Sequence, residues 1–186
     1  VAYDPNKPWL GGNAVGGDPN TWSPQLWDWL IETFDVKSIV DVGCGEGLMM
    51  EYFTNKDVIA YGVDGLAMNK DSAPKLIRDR MEIHDYRDGI GPVWVADMVI
   101  SCEFVEHIRK CDIKNVLHQF TAGKYLVFTH ATPGQIGHHH VNCQDDNYWI
   151  TLMESVGMEY LKGRTEEARG LAYGHWLTVL IFRNEL

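Results

Sequence analysis

Seven short runs rich in apolar and β-branched residues punctuate this chain, and the spacing between them constrains the fold more than any other feature. They are Ser38–Gly43, Val58–Asp64, Met81–Asp85, Asp97–Cys102, Tyr125–His130, Met158–Leu161 and Trp176–Phe182. Helical stretches separate the first six. A strand followed by a crossover helix returns to the same edge of the sheet and gives parallel neighbours, and helices on both faces account for runs that are apolar throughout. The last interval, Lys162 to His175, holds only a short helix-like piece, Thr165–Ala168. A hairpin fits it better than a crossover, so the seventh strand is expected to be antiparallel. The expected fold is α/β: a seven-stranded, mostly parallel sheet with an antiparallel last strand and helices on both faces.

A chain of 186 residues, 45% of them hydrophobic, suffices for one core, and a single domain over residues 1–186 is expected. Residues 1–21 are rich in Gly, Pro and Asn and read as an irregular arm. Ser23 followed by Pro24 opens a helix whose apolar residues, Leu26, Trp27, Leu30, Ile31 and Phe34, recur at helical spacing. Trp27 is expected in the core, whereas Trp9 and Trp22 either cover a ligand or anchor the arm. The net charge of −10 disfavours a protein that binds by neutralising many phosphates. Cys44, Cys102, Cys111 and Cys143 form no CxxC pair and are expected as thiols. No apolar run approaches the ~18 residues of a membrane span, and a cytoplasmic protein is expected.

Chemistry concentrates where strands end. Asp41-Val42-Gly43-Cys44-Gly45-Glu46-Gly47 lies between the first strand and a helix, Leu48 to Thr54. Such a turn leaves backbone N–H groups free and lets a ligand approach the main chain. The third glycine comes one position too early for a dinucleotide fingerprint. A carboxylate at Asp41 suits an ammonium group and would repel a pyrophosphate. Asp64 closes the second strand, about 20 residues after Gly43, the separation at which an acid takes ribose hydroxyls. Asp85 closes the third, beside Tyr86, a pair suited to adenine.

With these residues in view, the segment from Asp41 through His107 resembles the cofactor half of class I S-adenosylmethionine (SAM)-dependent methyltransferases, with their Rossmann-like sheet. The likeness includes the phrase Asp97-Met98-Val99-Ile100-Ser101-Cys102-Glu103-Phe104-Val105-Glu106-His107. It implies that Asp41 and the loop at Gly43, Cys44, Gly45 and Gly47 hold the methionine end, Asp64 and Gly65 the ribose, and Asp85 and Tyr86 the adenine, with Cys102 lining the cleft. The phrase from Thr129 to Gln144, with Pro133-Gly134-Gln135, Gly137 and His139-His140-Val141-Asn142, is similar to one in small methyltransferases of phage and bacterial genomes. Gly16-Gly17-Asp18-Pro19 through Pro24 extends that likeness to the arm.

Beyond the cofactor, Glu103, Glu106 and His107 are spaced to share one face of a helix starting near Glu103. Two carboxylates and an imidazole make half of a metal site, and a histidine of the His138-His139-His140 run, His139 foremost, completes it for Mg, Mn, Fe or Zn. The pattern is similar to that of small-RNA 2′-O-methyltransferases and ubiquinone-pathway O-methyltransferases. Without metal, Glu103, Glu106, His107 and His139 remain the candidate catalytic groups, a Glu-His pair also serving to seat SAM in relatives that need no metal. If the seventh strand is antiparallel, the segment before it brings Arg164, Arg169, Tyr173, His175 and Trp176 towards the substrate, the two arginines being either anion holders or solvated loop charges, the latter favoured. The expected activity is methylation of a small-molecule or sugar hydroxyl. A metal-assisted RNA 2′-O-methyltransferase and a non-catalytic SAM-binding module are the alternatives. The Asn/Asp-Pro-Pro-Tyr/Phe motif of DNA-base amino methylases is absent.

Overall fold

The computed structural model describes residues 2–184; Val1 of the arm lies outside the described residues. Short runs, the central ones buried almost throughout, build a seven-stranded sheet from β3 (Ser38–Val42), β4 (Ile59–Asp64), β5 (Met81–Ile83), β6 (Ala96–Ser101), β7 (Gly123–Phe128), β8 (Met158–Tyr160) and β9 (Leu180–Asn184). Its order is β5-β4-β3-β6-β7-β9-β8. The pairs β3/β4, β4/β5, β3/β6 and β6/β7 are parallel, and β9 runs antiparallel to both neighbours. That is the expected fold class.

Alternation along each strand feeds two cores. Ile39, Ile100, Val127 and Ile181 pack on one face with Trp27 and Leu30 of α1 (Pro24–Phe34), Phe53 of α2 (Leu48–Thr54) and Trp176. Val40, Val42, Leu126, Phe128 and Phe182 pack on the other with Val116 and Phe120 of α4 (Ile113–Phe120) and Trp149 and Met153 of α5 (Asp146–Ser155). The short helix α3 (Ala67–Ser72) follows β4.

Several expectations are corrected. The arm contains an antiparallel hairpin, β1 (Tyr3–Asp4) with β2 (Lys7–Gly11), and a 3-10 turn, Pro19–Thr21. Asp4, Lys7, Pro8 and Gly11 hide its strand character from any count of apolar alternation. Between β5 and β6 there is no crossover helix but a single 3-10 turn, Tyr86–Asp88. The connection then passes Trp94, whose backbone is clamped by the buried amide of Gln119 through two hydrogen bonds of 2.8 and 2.9 Å. The helix before the last strand, α6, runs over Lys162–Leu171, well beyond Thr165–Ala168. Trp176 lies not in a strand but in a 3-10 turn, Gly174–Thr178, before β9. Parallel strands put the loops after β3, β4, β5, β6 and β7 at one edge, and the order reverses at β3, where open α/β sheets form a crevice.

Candidate active site

A cleft of about 390 Å³ opens at that edge, walled on one side by strand ends and on the other by the arm. Its floor is formed by Gly43, Cys44 and Gly45 of the glycine loop, whereas Gly47, expected at the site, does not line it; Gly43, Gly45 and Gly47 have φ of 80°, 53° and 78°. Residues with a Cβ are strained there. At Gly43 a Cβ would also meet the Phe104 ring at 2.6 Å. The expectation of free amides fails for most of this loop. The N–H groups of Gly43 and Cys44 both donate to the Val63 carbonyl, that of Gly45 to Asp64 Oδ2 at 2.9 Å, and that of Gly47 to the Cys44 carbonyl. The turn curls against the end of β4, so it offers a ligand close approach rather than a set of donors.

All three strand-end acids line the cleft. Asp41 is 2% exposed. Burial, with the charge of Asp64 added, pushes its carboxyl well above the usual range, and no cation or hydrogen bond among the described residues counters this. Asp64 is held by Leu66 N–H (2.8 Å), the Asn69 amide (3.0 Å) and Gly45; burial still outweighs these donors and raises it. Asp85 goes the other way. Burial raises it, but the Trp9 indole N–H (2.9 Å), the Arg87 amide (3.0 Å) and Lys7 together hold it below the usual range. Trp9 therefore both anchors the arm and lines the cleft. The neighbouring Tyr86 hydroxyl is buried without a partner, and burial pushes it up. Gly65 and Cys102 are at the wall as expected.

The segment after β6 is not a helix. Glu103 has φ of 51°, and only Val105–His107 form a 3-10 turn, so Glu103 and Glu106 do not share one helical face. Glu103 accepts from the Thr129 hydroxyl (3.1 Å) and the Gln135 amide (3.4 Å), and its Oε2 lies 3.3 Å from His175 Nδ1. The other ring nitrogen of His175 lies 3.4 Å from Asp18 of the arm. Glu106 is fully buried, and neither of its carboxylate oxygens has a hydrogen-bond partner. Burial and the charge of Glu103 raise it to about 8; burial lowers His107 beside it to about 4. Ligand atoms of Glu106, His107 and His140 lie within 4.8 Å of one another.

His139 does not join them. It has φ of 48° and turns its ring to Arg87, whose Nη2 donates to Nε2 at 2.7 Å, while that guanidinium stacks over Trp9 at 4.1 Å. The neighbouring His140 takes the position expected of His139. Arg164 is tied to Glu167 and Arg169 to Asp146 and the Val179 carbonyl, and neither they nor Tyr173 lines the cleft, whereas His175 and Trp176 do. The cleft's arginines are instead Arg87 and Arg109. Sequence reasoning missed these, together with Thr129, Gln135 and Asn69. Of the five, Thr129, which opens the loop after β7, had a signal in its strand-end position, and Gln135 had one in the Pro133-Gly134-Gln135 phrase.

No protein-family model and no curated protein matches this sequence. Solved structures do. A TehB-like SAM-dependent methyltransferase from Corynebacterium glutamicum superposes with a TM-score of 0.62 at 18% identity, covering 92% of this chain and 91% of that one. Magnesium protoporphyrin IX methyltransferase from Synechocystis, with bound SAM, gives 0.62 at 14% identity over 85% and 76%. A cyclase, SpnF, gives 0.58 at 14% identity over 94% and 87%. At these identities the likeness is one of fold, and the cyclase shows that the fold alone does not fix the reaction.

Proposed function

We propose that this chain binds SAM in the cleft and transfers its methyl group to a hydroxyl of a small molecule or sugar. The observation that carries the reading is Asp41: a buried carboxylate facing a cleft, with no cation beside it, at the sheet position where an amino-acid ammonium would neutralise it. Asp64 and Asp85, at the next two strand ends, suit ribose hydroxyls and the adenine amine. Asp64 meets the ribose with its orientation already fixed by three donors. Asp85 already accepts from the Trp9 indole, so adenine would share or displace that donor. The fold shared with methyltransferases, one of them holding SAM, supports the assignment.

Methyl transfer from a sulfonium is an in-line displacement. The methyl carbon leaves sulfur for the acceptor oxygen, the S–C electron pair returns to sulfur, and the acceptor proton needs a base. His175 suits that role. It lines the cleft between Glu103 and Asp18, two carboxylates that would stabilise the imidazolium formed. His139, turned to Arg87, does not. The acidic chain disfavours RNA as acceptor. The second reading, in which the cleft serves something other than methyl transfer, is favoured by one observation, the cyclase on this fold.

Calorimetry with S-adenosylhomocysteine, followed by methyl transfer from labelled SAM to hydroxylated small molecules, sugars and RNA, tests the reading. Binding that weakens at least tenfold in Asp41→Asn, with turnover lost in His175→Ala, is expected. Absence of binding by both SAM and its product would overturn it, and binding without transfer to any acceptor class would favour the second reading.

A further inference from the structure

We infer that the methyl acceptor is a small anion, its carboxylate or phosphate group held at the cleft wall by Arg87, whose guanidinium is set in place by His139 and the Trp9 ring. The assignment to the acceptor rests on the methyl-transfer reading; the anion site does not. The first observation is one of charge. Acidic side chains dominate the lining of the cleft, yet among the described residues Arg87 forms no ion pair. Asp85, two residues away, accepts instead from the Trp9 indole (2.9 Å), the Arg87 backbone amide (3.0 Å) and Lys7. Arg109, the other arginine of the cleft, is paired with Asp112. Its like charge opposes that of Arg87, and Asp85 and Asp112 offset it without touching the guanidinium. In a chain of net charge −10, a cation left without a carboxylate in an acidic cleft is ready for an anion from outside.

The second observation is geometric. Nη2 of Arg87 donates to His139 Nε2 at 2.7 Å, and Cζ lies 4.1 Å from the centre of the Trp9 ring. A guanidinium only donates, so His139 accepts as a neutral ring and leaves the positive charge uncompensated. The aromatic face orients the plane of the guanidinium without using any of its N–H groups. Apart from the bond to His139, these N–H groups have no acceptor among the described residues, and the side chain lines the cleft. A planar fork of free donors matches a carboxylate or a phosphate with two parallel hydrogen bonds, and its fixed orientation lowers the freedom lost on binding. His138, next to His139, lies against Gly12 of the arm, where a Cβ would come within 3.3 Å of its ring, so the loop after β7 meets the arm at this wall.

The position separates this anion from the carboxylate of SAM itself. The guanidinium stacks on an indole that is bonded to Asp85, the acid at the adenine end, whereas the carboxylate of a methionine moiety lies beside its ammonium, at Asp41. Arg164 and Arg169, weighed from sequence as anion holders, are tied to Glu167 and Asp146 outside the cleft. Two arginines, one of them already paired, are too few to hold a run of phosphates, so a single anionic group on a small molecule fits the wall better than RNA.

The test is calorimetric titration of the full chain with benzoate, its neutral counterpart benzamide and inorganic phosphate, each with and without saturating S-adenosylhomocysteine. At least one of the two anions is expected to bind at millimolar Kd or tighter, the stronger one naming the group, and benzamide should bind at least tenfold more weakly than that anion. Arg87→Gln should weaken the anion roughly tenfold, and Arg87→Lys, which keeps the charge but loses the fork, severalfold; Arg164→Gln should leave it unchanged. Circular dichroism reports folding of each variant, and Arg87→Lys keeps the test valid if Arg87→Gln fails to fold. No anion binding up to about 10 mM, equal anion affinity in both Arg87 variants, or an RNA oligonucleotide bound more tightly than either anion overturns the inference. Competition between the anion and S-adenosylhomocysteine also overturns it, since Arg87 would then serve the carboxylate of the cofactor. S-adenosylhomocysteine binding that persists while anion binding is absent sinks the anion site alone; Arg87-dependent anion binding without S-adenosylhomocysteine binding sinks the methyl-transfer reading alone.

Discussion

Asp41 couples ligand binding to pH in a direction its surroundings dictate. Its folded-state pKa is raised because burial and Asp64 disfavour the anion, and a bound ammonium would favour that anion. Binding therefore expels a proton, and affinity for S-adenosylhomocysteine should rise as pH climbs through the raised pKa, well above the ordinary carboxylate range. In Asp41→Asn the dependence should flatten and affinity fall at least tenfold; a titration at several pH values reads both. Asp64 invites a stability measurement. Replacing it with Ala orphans the N–H groups of Gly45 and Leu66 and the Asn69 amide. A loss of about 1–3 kcal/mol in urea unfolding is expected. These acids were legible because each depends only on where an apolar run stops. The choice between His139 and His140 was not, since one residue with positive φ in an aperiodic loop reverses which ring faces inward.

At the scale of the element, the turn from β3 to α2 is the part most exposed to a single methyl group. Gly43→Ala puts a Cβ at φ 80° and within 2.6 Å of the Phe104 ring. The loop must then shift or Phe104 must leave, at a cost above ~1 kcal/mol, and ligand affinity should fall with stability. Thermal unfolding and calorimetry on this variant check the pair; an unchanged melting temperature would contradict the packing described. The glycines showed where this turn lies, but not that its amides are spent on Val63 and Asp64, because those partners come from the next strand. The Glu103-x-x-Glu106-His107 spacing suggested a helix on the same grounds that succeeded for α1. It failed because Glu103 takes a left-handed conformation with its N–H on the Thr129 hydroxyl, which stops helix propagation before it starts. Spacing records a period and carries no information on a tertiary hydrogen bond.

For the molecule as a whole, the parallel run of strands and its reversed last member were legible because crossover connections obey local rules, and they put the strand-end loops on one edge; the strand order was not, because it depends on which strands pair across the chain. Nor was the arm, since its hold on the sheet consists of contacts between residues far apart in the chain. Trp9 and Lys7 reach Asp85, Asn13 reaches Asn69, the Gly16 amide reaches Glu46, and the Thr21 carbonyl accepts from the Trp176 indole at 2.7 Å. Every one of these sheet-side groups except Asn69 lines the cleft, so a ligand seated there touches both arm and sheet. It should stabilise the folded chain by mass action, about 2.7 kcal/mol at a hundredfold excess over Kd. For a chain of 186 residues that is a rise of roughly 5–10 °C in Tm. The rise should shrink in Trp9→Ala, which leaves Asp41 and Asp64 in place but leaves Lys7 as the arm's hold on Asp85. An equal rise in the two proteins, each at a hundredfold excess over wild-type Kd, would mean that the arm is no part of the binding surface.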